Sequence, residues 1–318
     1  VPAITPADVR GAALRIQPLA KRTPVLTNRE FDDAAGMRVC FKCENLQTGG
    51  AFKIRGAANL ILSLGPAELA RGVVAFSSGN HAIAVAIAAR YAGTSATIVM
   101  PADAPRTKLE TARAQGARIV TYDRLHESRE AIAARILEEA HATLAPPFDH
   151  PLIMAGQGTA GMELLEDVPD LDALITPVGG GGLLSGCATI AREMRPSLRL
   201  FGAEPADGND TALSLAAGER RSVPLPQTIA DGLRAPQPGE LTFPIIRDTV
   251  EQVAVVTDDE IRAAVRFLLS RLKILVEPSG AVGAAALLAG KLPRTIGKIG
   301  VILSGGNLDL DQLACYAD

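Results

Sequence analysis

Short apolar runs alternate along the chain with stretches whose apolar residues return every three or four positions. Val73 to Phe76 precedes a helical pattern from His81 to Ala92, Ala96 to Met100 precedes Arg106 to Gln115, and Arg118 to Tyr122 precedes Glu127 to His141. Runs this short and rich in Val and Ile read as strands, and a strand followed each time by a helix predicts β-α units in a mostly parallel, helix-covered sheet. After Pro146-Pro147 a second series begins. Ala173 to Val178 enters a glycine run, Leu198 to Ala203 enters a turn, and Lys298 to Leu303 enters another glycine turn. The pattern predicts an α/β chain of two lobes, the larger from residues 1–69 and 147–318 and the smaller from 70–146. In such folds the loops at the carboxyl ends of strands carry the chemistry.

Composition narrows the function. The 318 residues suffice for about two domains with ample core. Lys and Arg number 32 against 35 Asp and Glu, a formal net charge of -3, so the basic excess of a nucleic-acid binder is missing. Aromatics are 3% and Trp is absent, which leaves Ala, Leu, Val and Ile to build the core and no platform for stacking bases. No apolar run reaches the roughly 18 residues of a membrane span, and Val1 to Arg22 lacks the pattern of a signal peptide. These features predict a cytoplasmic protein with a small-molecule partner. Cysteines stand at 40, 43, 187 and 315. The Cys40-x-x-Cys43 pair lies in a strand-like segment, where positions three apart face opposite sides and cannot share a metal, so structural thiols are expected.

Four loops stand out. Gly179-Gly180-Gly181-Gly182 follows one strand and precedes a helical segment, Leu183 to Arg192, the arrangement of an anion cradle: backbone N–H groups approach a phosphate and the helix N-terminus adds favourable dipole charge. Its spacing fits neither a dinucleotide fingerprint nor a nucleotide P-loop. Lys53 follows Ala51-Phe52 at the start of a helical pattern reaching Leu64, where a partly dry setting makes an amine nucleophilic. Ser77-Ser78-Gly79-Asn80-His81 presents hydroxyls, an amide and free N–H groups suited to a carboxylate, or to a helix cap. Ser304-Gly305-Gly306-Asn307 ends the last strand.

Together with Glu44-Asn45-Leu46-Gln47, Phe52 to Ala57 and Ala155-Gly156-Gln157-Gly158-Thr159, these loops resemble, in order from Thr23 to Asp309, the serine/threonine dehydratase family of fold type II pyridoxal-phosphate enzymes. The resemblance implies a tryptophan synthase β-like fold and pyridoxal 5′-phosphate as cofactor. It implies that Lys53, beside Phe52, carries the cofactor aldehyde, that Gly179, Gly180, Gly181 and Gly182 bind its phosphate, that Asn80 contacts the ring 3′-oxygen, and that Ser304 faces the pyridine nitrogen. Ser77, Ser78, Gly79, Asn80 and His81 would hold the substrate. The implied reaction is α,β-elimination from a β-hydroxy-α-amino acid: the Lys53 amine removes the Cα proton, water leaves from Cβ, and a 2-oxo acid and ammonia result.

The same family includes threo-3-hydroxyaspartate dehydratases and serine racemases. Ser78 matches the serine that acts on the opposite cofactor face in racemases, and Arg129 matches a substrate-loop arginine, although a solvated helical arginine fits the local pattern as well. Ala235 stands where racemases resemble one another in having a serine, and Ala51 stands where the family motif has a hydroxyl, a pair that admits a larger β-substituent such as phenyl. Glu204, Gly208 and Asp210 match a divalent-cation loop, whose oxygen-only ligands suit Mg²⁺ or Ca²⁺. A homodimer is the family expectation. With Asp318 so soon after Ser304, a C-terminal regulatory domain is not expected.

Overall fold

The computed structural model describes residues 2–316 apart from 78, 105 and 124, with the side chain of Thr107 also left aside. Among the described residues ten strands follow in chain order: β1 (Val25–Leu26), β2 (Arg38–Cys43), β3 (Val73–Phe76), β4 (Ala96–Pro101), β5 (Arg118–Tyr122), β6 (Thr143–Leu144), β7 (Ala173–Pro177), β8 (Arg199–Pro205), β9 (Gln252–Val256) and β10 (Lys298–Leu303). They form a six-stranded sheet in the order β1-β2-β10-β7-β8-β9 and a four-stranded sheet in the order β5-β4-β3-β6. Only the two-residue β1 runs against its neighbour β2; the other strand pairings of both sheets are parallel. This is the mixed α/β architecture expected from the alternation, and with helices on both faces the central strands read as unbroken apolar runs.

Both faces of the large sheet are buried. Val39, Phe41 and Cys43 of β2 pack with Phe31 and with Val282 and Ala285 of the helix Pro278–Leu288. Cys40 points the other way, among Met154, Leu164 and Leu184 of the helices Pro151–Asp167 and Gly182–Met194. Cys40 and Cys43 therefore sit on opposite sides of one sheet, and burial pushes the Cys43 thiol up to about 12, as inert structural thiols require. The four-stranded sheet packs on the helix Asn80–Ala92, and the helix Lys53–Ile61 adds Ile54, Ala57, Leu60 and Ile61 to that same cluster.

The helix Lys53–Ile61 is held by buried charge. Arg55 is fully buried and donates to Glu44 through Nε (2.7 Å) and Nη2 (2.8 Å), and to Glu163 through Nη1 (2.7 Å) and Nη2 (2.8 Å). Lys42 completes the cluster, 2.6 Å from Glu163 and 2.7 Å from the Thr23 carbonyl. Burial works to raise the Glu44 pKa, but the Arg55 guanidinium outweighs it and holds the carboxyl below its usual range. The same helix lies close to Pro151–Asp167, because a Cβ on Gly156 would stand 2.3 Å from the Arg55 carbonyl oxygen. Gly156 and Gly158 of the Ala155–Thr159 motif are thus helix-packing residues, the second lying against Gly186.

Removing Glu44 leaves two buried cations sharing one carboxylate. Glu44→Ala is expected to cost about 3–5 kcal/mol, read as a lower urea midpoint, whereas truncation of the exposed pair partner Glu193 should move it by less than about 1 kcal/mol. Since the depressed pKa keeps Glu44 ionised, the difference is present at neutral pH and shrinks under acid as the carboxyl takes up a proton.

Candidate active site

The parallel order β2-β10-β7 brings three carboxyl ends side by side, and the segments leaving them meet the loop after β3 around one cavity of about 600 Å³. Phe52, Lys53, Ser77, Gly79, Asn80, His81, Gly179 to Gly182 and Ser304 all line it. The structure therefore gathers every cofactor and substrate residue inferred from the sequence except Ser78, which lies outside the described residues. Such a crevice beyond strand carboxyl ends is where open α/β sheets bind ligands.

Lys53 is placed by the chain on both sides of it. Ala51 bridges to Gly305, and the Phe52 N–H donates to the Ser304 carbonyl (3.0 Å), tying the helix start to the end of β10. The half-buried Lys53 ammonium donates to the Pro147 carbonyl (2.6 Å) and lies 5.1 Å from the Phe52 ring centre, and burial lowers its pKa to about 8. His81 beside it is driven down to about 3 by burial and by the charge of Lys53, with Nε2 2.8 Å from the Ala145 carbonyl oxygen. It is a neutral wall residue. Ala51 is buried against Gly305 and is not part of the lining, whereas Ala235 is.

The glycine quartet crosses from β7 to the helix Gly182–Met194 with Gly181 at φ +91°, a left-handed turn that favours glycine. The Gly180 carbonyl accepts from Thr242 Oγ1 (2.7 Å) and from the Gly239 N–H (3.1 Å). Side chains would fill the cradle: a Cβ on Gly180 would stand 2.3 Å from the Phe148 ring, and one on Gly182 2.4 Å from Gln157 Oε1. That Gln157 oxygen is buried with no hydrogen-bond partner, an unmet polar atom facing the quartet. A backbone anion cradle and a lysine of lowered pKa in the same cavity fit the phosphate and the aldehyde of pyridoxal phosphate.

A second polar group, legible in the sequence only as scattered residues, closes the other side. Asn80 donates through Nδ2 to the buried Glu277, and Asn307 Nδ2 donates to Asn80 Oδ1 (2.9 Å) and to the Gly49 carbonyl (2.8 Å). Lys108, buried on the four-stranded side, reaches Asp231 at 2.5 Å and Glu277 at 3.9 Å. The sequence signal for Glu277 was its place before Pro278 at a helix start. Arg129 also lines the cavity, but at its exposed mouth, stacked 5.3 Å over Phe76 and paired with Glu130 at 2.7 Å.

Glu204 and Asp210 lie apart from this cavity. Glu204 is buried at the end of β8 and accepts from the N–H groups of Thr211 (3.2 Å) and Ala212 (3.0 Å), while both Asp210 oxygens are buried without hydrogen-bond partners. Burial raises both carboxyl pKa values, and the charge of Asp210 raises that of Glu204 further. Among the described residues no three His, Cys, Asp or Glu side chains converge as a metal site, so any cation here needs carbonyl or water oxygens as well.

The chain matches the pyridoxal-phosphate dependent enzyme family over residues 16–305 and belongs to it. It is similar to the L-threo-3-hydroxyaspartate ammonia-lyase of Saccharomyces cerevisiae, with 46% identity over 307 residues that cover 96% of this chain and 94% of that one. It is also similar to the L-threonine ammonia-lyase of Geobacter sulfurreducens, with 43% identity over 304 residues that cover 96% of this chain and 76% of that one. Among solved structures it is similar to maize serine racemase, with TM-score 0.95, 45% identity and coverage of 98% and 96% of the two chains.

Because burial lowers the Lys53 pKa, its amine becomes neutral and nucleophilic as pH rises toward about 8. In stopped-flow mixing of cofactor-free protein with pyridoxal phosphate, the rate of colour formation should climb about tenfold per pH unit below that midpoint and level off above it. A midpoint near the ordinary lysine value would show that the amine is solvated.

Proposed function

We propose that the protein is a pyridoxal-phosphate dependent ammonia-lyase that converts a β-hydroxy-α-amino acid to a 2-oxo acid and ammonia. The observation that carries this reading is the convergence of Lys53, the glycine quartet and Ser304 on one cavity. Lys53 is the group that bears the cofactor and moves the Cα proton, since it is the cavity lysine whose pKa burial has lowered. Gly179 to Gly182 hold the phosphate, and the N–H groups at the start of the helix Gly182–Met194 supply donors left without intrahelical partners. Ser77, Gly79 and the N-terminus of Asn80–Ala92 orient the substrate carboxylate. Bound pyridoxal phosphate supplies an electron sink for the negative charge that develops at Cα. Ser304, a cavity hydroxyl, would be the group toward the cofactor ring, and a hydroxyl there would not hold a ring proton as a carboxylate does.

Lys53→Ala should abolish the yellow colour of the purified protein and lower 2-oxo acid production by at least about 10²–10⁴-fold. An active, coloured Lys53→Ala protein would falsify the reading.

A second reading, that the preferred substrate carries a second carboxylate, is favoured by the guanidinium of Arg129 at the cavity mouth and by the similarity to a 3-hydroxyaspartate ammonia-lyase. Turnover of serine, threonine, threo-3-hydroxyaspartate and phenylserine, with D-serine measured beside it for racemisation, separates the candidates. If Arg129 receives that carboxylate, Arg129→Met should lower kcat/KM for 3-hydroxyaspartate by about tenfold or more, the value of one charge-assisted hydrogen bond, and leave serine almost unaffected. Equal losses on both substrates would count against the second carboxylate.

The buried pair Glu204 and Asp210 supports a divalent cation held with the Gly208 carbonyl and water, because a cation offsets two adjacent buried carboxylates of which one has no partner. Mg²⁺ should then raise the melting temperature of the wild-type protein by linkage, chelator should reverse the shift, and Asp210→Asn should remove the response. A melting temperature indifferent to Mg²⁺ and Ca²⁺ speaks against the site.

A further inference from the structure

Asn80 is the inferred partner of the cofactor's 3′-oxygen, yet an amide side chain serves as donor only if its nitrogen edge faces the right way. Its orientation here is set by two neighbours of opposite kind. On one side stands the Glu277 carboxyl, whose Oε1 accepts from the Asn80 nitrogen. On the other, Asn307 has its nitrogen committed to the Gly49 carbonyl (2.8 Å) and so presents a donor to Asn80 Oδ1 (2.9 Å). Donation thus runs outward from Asn307, on one side to the Gly49 carbonyl and on the other through Asn80 to Glu277. It leaves Asn80 one further N–H, in a residue that lines the cavity.

Glu277 is built into this place. Only 2% of it is exposed, its backbone N–H donates to the Gly305 carbonyl (3.0 Å), and it is the residue from which the helix Pro278–Leu288 starts. A Cβ on Gly305 would stand 2.2 Å from Glu277 Oε1, so the glycine after Ser304 leaves room for this carboxylate. Burial raises the Glu277 pKa to about 7, against the charge of Lys108 from the helix Arg106–Ala114 at 3.9 Å and with Asp231 adding to the rise; Oε1, the oxygen that Asn80 meets, accepts whether the acid is ionised or carries its proton on Oε2.

We propose that Glu277 is a positioning residue: by accepting one N–H of Asn80 it fixes the amide so that the other N–H is presented to the cofactor's 3′-oxygen. This rests on the pyridoxal-phosphate reading of the cavity. A donor at that oxygen stabilises its ionised form, which absorbs in the visible, over the neutral form, which absorbs in the near ultraviolet. Glu277→Gln keeps the size but accepts or donates equally well, so the amide chain loses its direction.

The test is the absorbance spectrum of resting holoenzyme at neutral pH. Glu277→Gln should lower the ratio of visible to near-ultraviolet absorbance by about tenfold, and kcat should fall with KM changing less than about twofold. An unchanged ratio overturns the proposal. If Glu277→Gln does not yield folded holoenzyme, Asn307→Asp decides, since an acceptor there draws the remaining Asn80 N–H away from the cavity; it should lower the same ratio, and a wild-type spectrum overturns the proposal. Wild-type protein that takes up no pyridoxal phosphate defeats the reading of the cavity itself. Yellow wild type with unaltered variant spectra defeats only the role of Glu277.

Discussion

The buried guanidinium of Arg55, clamped between Glu44 and Glu163, is the constraint on which the rest depends. Glu44 follows β2, Glu163 lies on the helix Pro151–Asp167, and Arg55 stands two residues after Lys53. One planar cation with bidentate partners thereby fixes the start of the helix Lys53–Ile61 against the sheet and against a neighbouring helix. Buried charges are costly unless every partner is present. Misplacement of this helix start therefore strands ions in the interior, and the amine of Lys53 inherits the precision of that arrangement.

From the anchored helix start the cavity is assembled by strand order. β10, last in the chain, lies between β2 and β7, so Ser304 arrives beside Lys53 and the glycine quartet although the three are far apart in sequence. The four-stranded sheet contributes the opposing wall with Ser77, Gly79, Asn80 and the buried Lys108. Low polarity on the lysine side lowers its pKa, while backbone donors on the glycine side attract an anion. These opposite demands are met in one cavity because one is made by side-chain burial and the other by bare backbone.

Much of this was legible in the chain before folding. β3, β5 and β10 fall on the residues where apolar runs placed them, and the helix after β3 begins at Asn80, one residue before the expected start. Elsewhere local pattern misled at the edges. The helix after Lys53 stops at Ile61 short of Leu64, with Gly65-Pro66 following, and the helix before β6 ends at Ala140, where His141 takes the left-handed conformation. Two-residue strands such as β1 and β6 carry no periodic signal. The helix Pro151–Asp167 shows no clear apolar stripe in the sequence because glycines dilute it, and their purpose, close approach to Arg55 and Gly186, shows only in three dimensions.

By itself the sequence determined the α/β alternation, the glycine cradle, the lysine and the polar loops, because each is written in a short stretch of neighbouring residues whose conformational needs are local. Tertiary structure alone decided which of these share a cavity, that Gln157, Lys108 and Glu277 join them, that Ala51 lies behind the wall, and that the Lys53 amine is a weak base. Burial, hydrogen-bond direction and charge pairing depend on what long-range strand order brings next to a residue, and no local window of sequence contains that information.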